Sequence, residues 1–246
     1  MVTFKNRGRL GNFLFQAATA YAYALDVDER FSVPFSPDEP ANPIYLSHLQ
    51  DLALFLRRYT VTYCEDENPK GSPIPGFLPS VGEGYNIILD GYWQDYRRFA
   101  HRRAEIIEAF RLGPPLQSPY VGVHVRRGDF VTETEVSGRY NVPTVEWWDE
   151  QMKKFPGRTF MFFSDDIEWC LENLGNPGDK FRKDFDPLDD LIALSQCAHQ
   201  ICSPSTFSWW GAWLNQNPGK RVIVPKVWMP GVLDADGICP PEWERA

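Results

Sequence analysis

Beyond residue 119 the chain alternates between short apolar runs and stretches of helical periodicity, and this alternation constrains the fold more than any other feature. Strands are expected at 120–126, 159–164, 199–203 and 222–225, with helices at about 144–154, 167–173, 187–198 and 206–215. Parallel strands cannot be joined by a tight hairpin and need a crossover, usually a helix. The order therefore predicts a parallel, doubly wound α/β sheet. In such an open sheet ligands bind outside the carboxyl ends of the strands, so the loops that follow the strands are where chemistry is expected.

Three of those loops carry polar groups. The run Val121-Gly-Val-His-Val-Arg-Arg-Gly-Asp-Phe130 passes from an apolar strand through His124 to two adjacent guanidiniums, Arg126 and Arg127, followed by Asp129. Arginine presents a planar fork of donors that matches phosphate oxygens, so the pair suits a diphosphate. A solvated Arg pair beside a packed histidine is the plainer alternative. The second loop, Ser164-Asp165-Asp166, offers carboxylates that can hold Mg²⁺ or Mn²⁺, accept hydrogen bonds from a base or ribose, or cap the helix expected at Ile167. With two arginines neutralising a diphosphate, a metal is redundant. The third, Ser203-Pro-Ser-Thr-Phe-Ser208, opens a helix with hydroxyls, so side-chain O–H and helix N–H groups point the same way, as a phosphate seat or as an ordinary cap.

The first half reads differently. A strand at 2–5, a glycine-containing turn at 7–12 and a helix at about 13–25 place a helix N-terminus within reach of an anionic or hydroxylated ligand. Prolines cluster at 32–43 and 68–79, predicting surface loops around a helically periodic segment at 46–59. A strand at 86–89 leads to a basic helix ending near Phe110, with Arg97, Arg98, Arg102 and Arg103 on a solvated face. The segment Gly113-Pro-Pro-Leu-Gln-Ser-Pro119 has three prolines in seven residues and reads as a linker, dividing the chain into domains 1–115 and 116–246.

With 246 residues, 43% hydrophobic and 24% charged, the chain can bury a full core. A net charge of −8 opposes nucleic-acid binding. Nine Trp and ten Tyr suit sugar or base stacking, and equally suit a core. Five cysteines, odd in number and lacking Cys-x-x-Cys spacing, indicate neither a zinc site nor a disulfide framework and fit a reducing cytoplasm. No signal peptide or transmembrane segment is expected; peripheral contact with a membrane that carries a lipid acceptor stays open.

The segments Gly8-Arg-Leu-Gly-Asn-Phe-Leu-Phe-Gln16, Val123-His-Val-Arg-Arg-Gly-Asp-Phe130, Phe163-Ser-Asp-Asp166 and Ser203-Pro-Ser-Thr-Phe-Ser-Trp-Trp-Gly-Ala-Trp-Leu-Asn215 resemble, in order and spacing, the motifs of glycosyltransferase family 11, the α-1,2-fucosyltransferases. The tail Asn217-Pro-Gly-Lys-Arg-Val-Ile-Val-Pro-Lys-Val-Trp228 extends the resemblance. It implies an α/β fold of GT-B-like type, two Rossmann-like domains facing a cleft with the N-terminal one reduced. It also implies an inverting, metal-independent transferase that uses GDP-fucose as donor substrate, needs no cofactor and acts on an acceptor glycan. By that analogy Arg126 and Arg127 bind the β-phosphate, His124 lies near the guanine or phosphates, and Asp165 faces the nucleoside. Ser205, Thr206 and Phe207 complete the donor seat, and Gly11 and Asn12 face it from the first domain.

Rupture of a glycosyl phosphate bond builds negative charge on the leaving phosphate, which preorganised guanidiniums meet without a metal. The acceptor proton needs a base; Asp129 is the first candidate, then Glu133 or Glu135. Arg9 and Phe13 stand where the family pattern has Gly and Gln, which points to a changed acceptor. The alternatives are a transferase of the same fold using another nucleotide sugar, and a non-catalytic glycan-binding protein. A P-loop is absent, disfavouring a kinase or GTPase.

Overall fold

The computed structural model describes residues 1–34, 59–64, 85–110, 118–133 and 138–246. The chain separates into two compact units, Met1–Leu112 and Gly113–Ala246, three residues before the division at 115 expected from the prolines. Each carries the parallel α/β construction that a GT-B-like chain requires.

The first unit contains β1 (Val2–Phe4), α1 (Leu10–Asp26), β2 (Tyr59–Cys64) and β3 (Tyr85–Asp90), its strands forming a parallel sheet in the order β1-β3-β2. Twelve of the 17 residues of α1 are buried. Its alanines let the backbone pack closely, while Phe13 meets Phe4 edge-on at 5.2 Å. The helix begins three residues earlier than expected, because Phe13 N–H already bonds the Arg9 carbonyl at 3.0 Å. Residues 46–58 of the expected second helix lie outside the described residues, and Tyr59 opens a strand instead.

The expected basic helix is broken. Tyr96–Arg98 and Ala100–Arg102 are 3₁₀ turns, and α2 covers only Arg103–Phe110. The cause is Asp95, fully buried, which caps the first turn through Arg97 N–H at 3.1 Å and grips the Arg97 guanidinium at 2.7 and 3.0 Å. Nor does Arg98 lie on a solvated face. It is buried, its guanidinium 5.0 Å from the Trp93 ring centroid.

The second unit holds β4 (Ser118–Val125), α3 (Gly128–Thr132), α4 (Val145–Met152), β5 (Phe160–Ser164), α5 (Ile167–Asn173), β6 (Lys180–Arg182), α6 (Pro187–Ser195), β7 (Cys197–Cys202), α7 (Thr206–Leu214), β8 (Val222–Val224), β9 (Val227–Met229), β10 (Leu233–Asp234) and β11 (Glu244–Arg245). Six strands form one sheet, β11-β8-β7-β4-β5-β6, and every pairing in it is parallel. β9 and β10 form a separate antiparallel pair.

Two expectations need correction. Pro119 sits inside β4, a central strand, which is tolerated because the ladder to β7 shifts register between Ser118 and Val121, so the missing N–H interrupts no regular bonding. The helix expected to reach 198 stops at Ser195, and β7 begins two residues later.

Seven of the nine tryptophans are buried, so the aromatic richness serves the core. Trp209, Trp210 and Trp213 pack on one another along α7, and Trp209 Nε1 donates to the Ile238 carbonyl at 3.0 Å, tying the C-terminal segment to the helix.

Candidate functional site

The sheet of the second unit changes direction at β4. β5 and β6 add on one side of it, β7 and β8 on the other. Crossovers leaving in opposite directions open a crevice beyond the strand ends, between β4 and β7. Register then decides which side chains flank it. His124 pairs with Cys202 and Val125 with Ser164. Ser203 therefore emerges beside Arg126 on one side, and Asp165-Asp166 beside Arg126-Arg127 on the other.

Ser203 is the hub, a role that sequence reasoning missed. Its buried hydroxyl donates to the His124 carbonyl at 2.9 Å and accepts the Arg126 N–H at 3.1 Å. With its one proton given to that carbonyl, its 3.1 Å contact with His124 Nδ1 assigns the ring N–H to that nitrogen. His124 Nε2 is consequently a lone-pair acceptor, without a partner among the described residues. Burial first, and the Arg126 charge second, push the imidazole down to about 3, so the ring is neutral. Phe207 covers it with ring centroids 5.0 Å apart.

The two arginines are held differently. Arg126 is enclosed by carboxylates: Nη1 lies 2.8 Å from Asp165 Oδ2, and Nη2 donates to Asp129 Oδ1. Arg127 donates its backbone N–H to Asp165 Oδ1 at 2.9 Å and its Nε–H to Asp166 Oδ2 at 3.0 Å. Its guanidinium carbon stands 4.0 Å from the Trp169 ring centroid, and its terminal nitrogens bond no described residue. Gly128 makes room for this arrangement, because a Cβ there would collide with Asp165 Oδ2.

Asp165, expected toward the nucleoside, thus has both oxygens engaged by the arginine loop. Asp129, the expected base, sits in the first turn of the short helix α3, which was not foreseen, and is paired there with Arg126 of the preceding loop. Glu133 forms the C-cap of that helix, and Glu135 lies outside the described residues. Asp166 caps α5 through Trp169 N–H at 3.3 Å while also holding Arg127. In the third loop Ser205 caps α7 by accepting Phe207 N–H at 3.3 Å, and Thr206 begins the helix. Two guanidiniums against three carboxylates leave the cluster with a formal charge of −1.

Gly11 and Asn12 belong to the first unit, in the opening turn of α1. Gly11 is buried, and Asn12 Oδ1 accepts from Gln94 Nε2 at 2.9 Å. The preceding turn is fixed by Gln16, which accepts Arg7 N–H at 2.9 Å and donates to the Arg7 carbonyl at 2.7 Å. Among the described residues no group of three or more His, Cys, Asp or Glu is arranged to hold a metal, and no helix is long and apolar enough to cross a membrane.

Comparison with known proteins adds to this geometry. The model of glycosyl transferase family 11 matches residues 85–244. An alpha-1,2-colitosyltransferase of Escherichia coli is 30% identical over 65% of this chain and 62% of its own length. A galactoside 2-alpha-L-fucosyltransferase of Bos taurus is 25% identical over 98% of this chain and 72% of its own. The solved fucosyltransferase NodZ from Bradyrhizobium shares 14% identity with a TM-score of 0.49, covering 85% of this chain and 91% of that one. The chain spans about three fifths of the length of the Escherichia coli colitosyltransferase it matches.

Proposed function

We propose that this chain, which belongs to glycosyl transferase family 11, moves L-fucose from GDP-fucose to a hydroxyl of an acceptor glycan, forming an α-1,2 linkage with inversion and without a metal ion. The observation that carries this reading is the Arg127 fork, whose terminal nitrogens bond no described residue, beside the strand-order reversal, with His124 near the end of β4 and the Ser205-capped start of α7 alongside. A fork of that kind suits the oxygens of a diphosphate. Neutral His124 presents an acceptor, so its partner is an O–H or N–H of the donor's nucleoside or sugar and not a phosphate oxygen.

In this scheme the acceptor oxygen attacks the anomeric carbon from the face opposite the nucleotide. The bond from that carbon to the β-phosphate oxygen breaks, and GDP leaves with the electron pair. Arg127 and Arg126 meet the charge that builds on the departing phosphate. As phosphate oxygens take over Arg126, Asp129 is released from it and receives the acceptor proton. Asp165 stays behind the loop as its anchor. The reaction runs in the cytoplasm in this reading, consistent with four described cysteines that are free and buried.

A second donor is favoured by one observation, the match to an enzyme named for colitose, a deoxyhexose lacking one ring hydroxyl of fucose. Calorimetry with GDP, UDP and TDP, followed by mass spectrometry of GDP-fucose transfer to a glycan panel in EDTA, separates the readings. GDP binding and a one-deoxyhexose mass gain are expected. UDP or TDP preference removes fucose as the donor, and a protein that binds glycans but no nucleotide is a lectin-like module. Restoration of transfer only by Mn²⁺ would replace the guanidinium scheme.

A further inference from the structure

Nothing in the donor chemistry explains why the Arg127 guanidinium sits over an indole. Its guanidinium carbon is 4.0 Å from the Trp169 ring centroid, while its Nε–H is held at 3.0 Å by Asp166. Both partners come from the first turn of α5, and that turn is itself locked, since the other oxygen of Asp166 caps it at Trp169 N–H. A guanidinium offers its Nε–H on one edge and its terminal fork on the adjoining edge. Holding the Nε–H at Asp166 and the guanidinium carbon over the indole leaves the fork as the edge that bonds no described residue.

We propose that Asp166 and Trp169 are positioning residues whose task is to aim the Arg127 fork at the donor diphosphate. The first turn of α5 is then a mount for the arginine and makes no donor contact of its own. This rests on the donor reading above and extends it to residues outside the strand-following arginine loop.

The electrostatic alternative has the opposite sign. Asp166 is a carboxylate next to an anion site, so neutralising it tightens GDP if charge alone matters. Positioning predicts the reverse for Asp166→Asn. Both carboxylate oxygens are in use, and an asparagine supplies one oxygen and one NH₂. If the oxygen keeps the cap, the NH₂ faces the Arg127 Nε–H donor to donor and dislodges it.

The experiment is calorimetric titration with GDP of the full chain, its Asp166→Asn, Trp169→Phe and Trp169→Leu variants, and each of these combined with Arg127→Ala. Expected are roughly tenfold weaker binding in Asp166→Asn and Trp169→Leu, and near-native binding in Trp169→Phe, which keeps an aromatic face. In the Arg127→Ala background both penalties vanish, since they act only through that side chain. Tighter binding in Asp166→Asn, or penalties that persist without Arg127, overturn the proposal while leaving the donor reading intact. Should Trp169→Leu not fold, Asp166→Asn decides, because asparagine is itself a good N-cap. If Arg127→Ala alone binds GDP as the native chain does, the donor reading fails instead.

Discussion

Removing either arginine should stop transfer, but the two losses should differ in what they do to the fold. Arg127→Ala deletes an ion pair to Asp166, whose side chain is 41% exposed, so the pair contributes under about 1 kcal/mol. The stacking on Trp169 adds roughly 0.5–2 kcal/mol. A stability loss of about 1–2 kcal/mol follows, or a thermal midpoint lower by a few degrees. A fixed donor aimed at developing charge, by contrast, is worth about 10²–10³ in kcat. Arg126→Ala leaves Asp129 and Asp165, 17% and 25% exposed, without their common cation. Breaking a buried pair costs about 3–5 kcal/mol, which partial exposure reduces to roughly 2–3. Transfer rates at saturating donor, paired with thermal melts, give both quantities from one preparation. The reasoning is refuted if Arg127→Ala transfers within threefold of the native chain, or if it melts below Arg126→Ala.

Gly128→Ala tests the same loop from the backbone. The added Cβ drives Asp165 from Arg126 and from the Arg127 N–H, costing about 1–3 kcal/mol and weakening GDP, whereas an unchanged melt and Kd would mean that the loop yields freely. For His124, held at about 3 against an ordinary 6.5, the unfolded chain takes up a proton below pH 6.5 that the folded chain refuses. Its contribution to stability is therefore whole above pH 6.5 and falls toward pH 3, by up to about 1.4 kcal/mol per unit. Urea midpoints at pH 7, 5 and 4 should drop less steeply in His124→Gln; parallel slopes would show that the imidazole is not the group responsible.

The parallel sheet of the second unit was legible because each strand is an apolar run bounded by a helix of opposite periodicity. Its switch point was not, because strand order depends on which edge β7 joins, and Cys197–Cys202 reads the same on either side of β4. The short edge strands β6 and β11, of three and two residues, lack the length for a pattern to appear. Within the site, His124 announced itself by residue type near a strand's end, and Arg126, Arg127 and Ser205 by residue type and by following strands. Ser203 and Trp169 did not, since a serine between an apolar strand and a proline, and a tryptophan in a short helix, are ordinary until register sets them against His124 and Arg127. The charged run at Arg97–Arg103 misled for a related reason: a buried Asp95 three residues before Arg98 outweighs helical propensity, and sequence alone does not reveal that burial.

Charge balance bears on how such a site turns over. Before a donor arrives, three aspartates already answer two arginines, so a diphosphate adds negative charge to a cluster that is not positive. Binding is favourable only if guanidinium–carboxylate contacts are exchanged for guanidinium–phosphate ones, and the contact most readily exchanged is Arg126–Asp129, made between the loop and the first turn of a short helix, while Asp165 is locked by two contacts to the loop. The exchange yields a carboxylate without its cation at the moment a base is needed. Asp129→Asn separates the two duties of that residue. Its amide oxygen still accepts from Arg126 and one negative charge is gone, so GDP should bind at least as tightly as before. The amide takes no proton, so kcat should fall by about 10²–10⁴. Loss of GDP affinity in this variant would mean that Asp129 chiefly holds Arg126 in place, and a native kcat would send the acceptor proton elsewhere, with Glu133 the next carboxylate to replace.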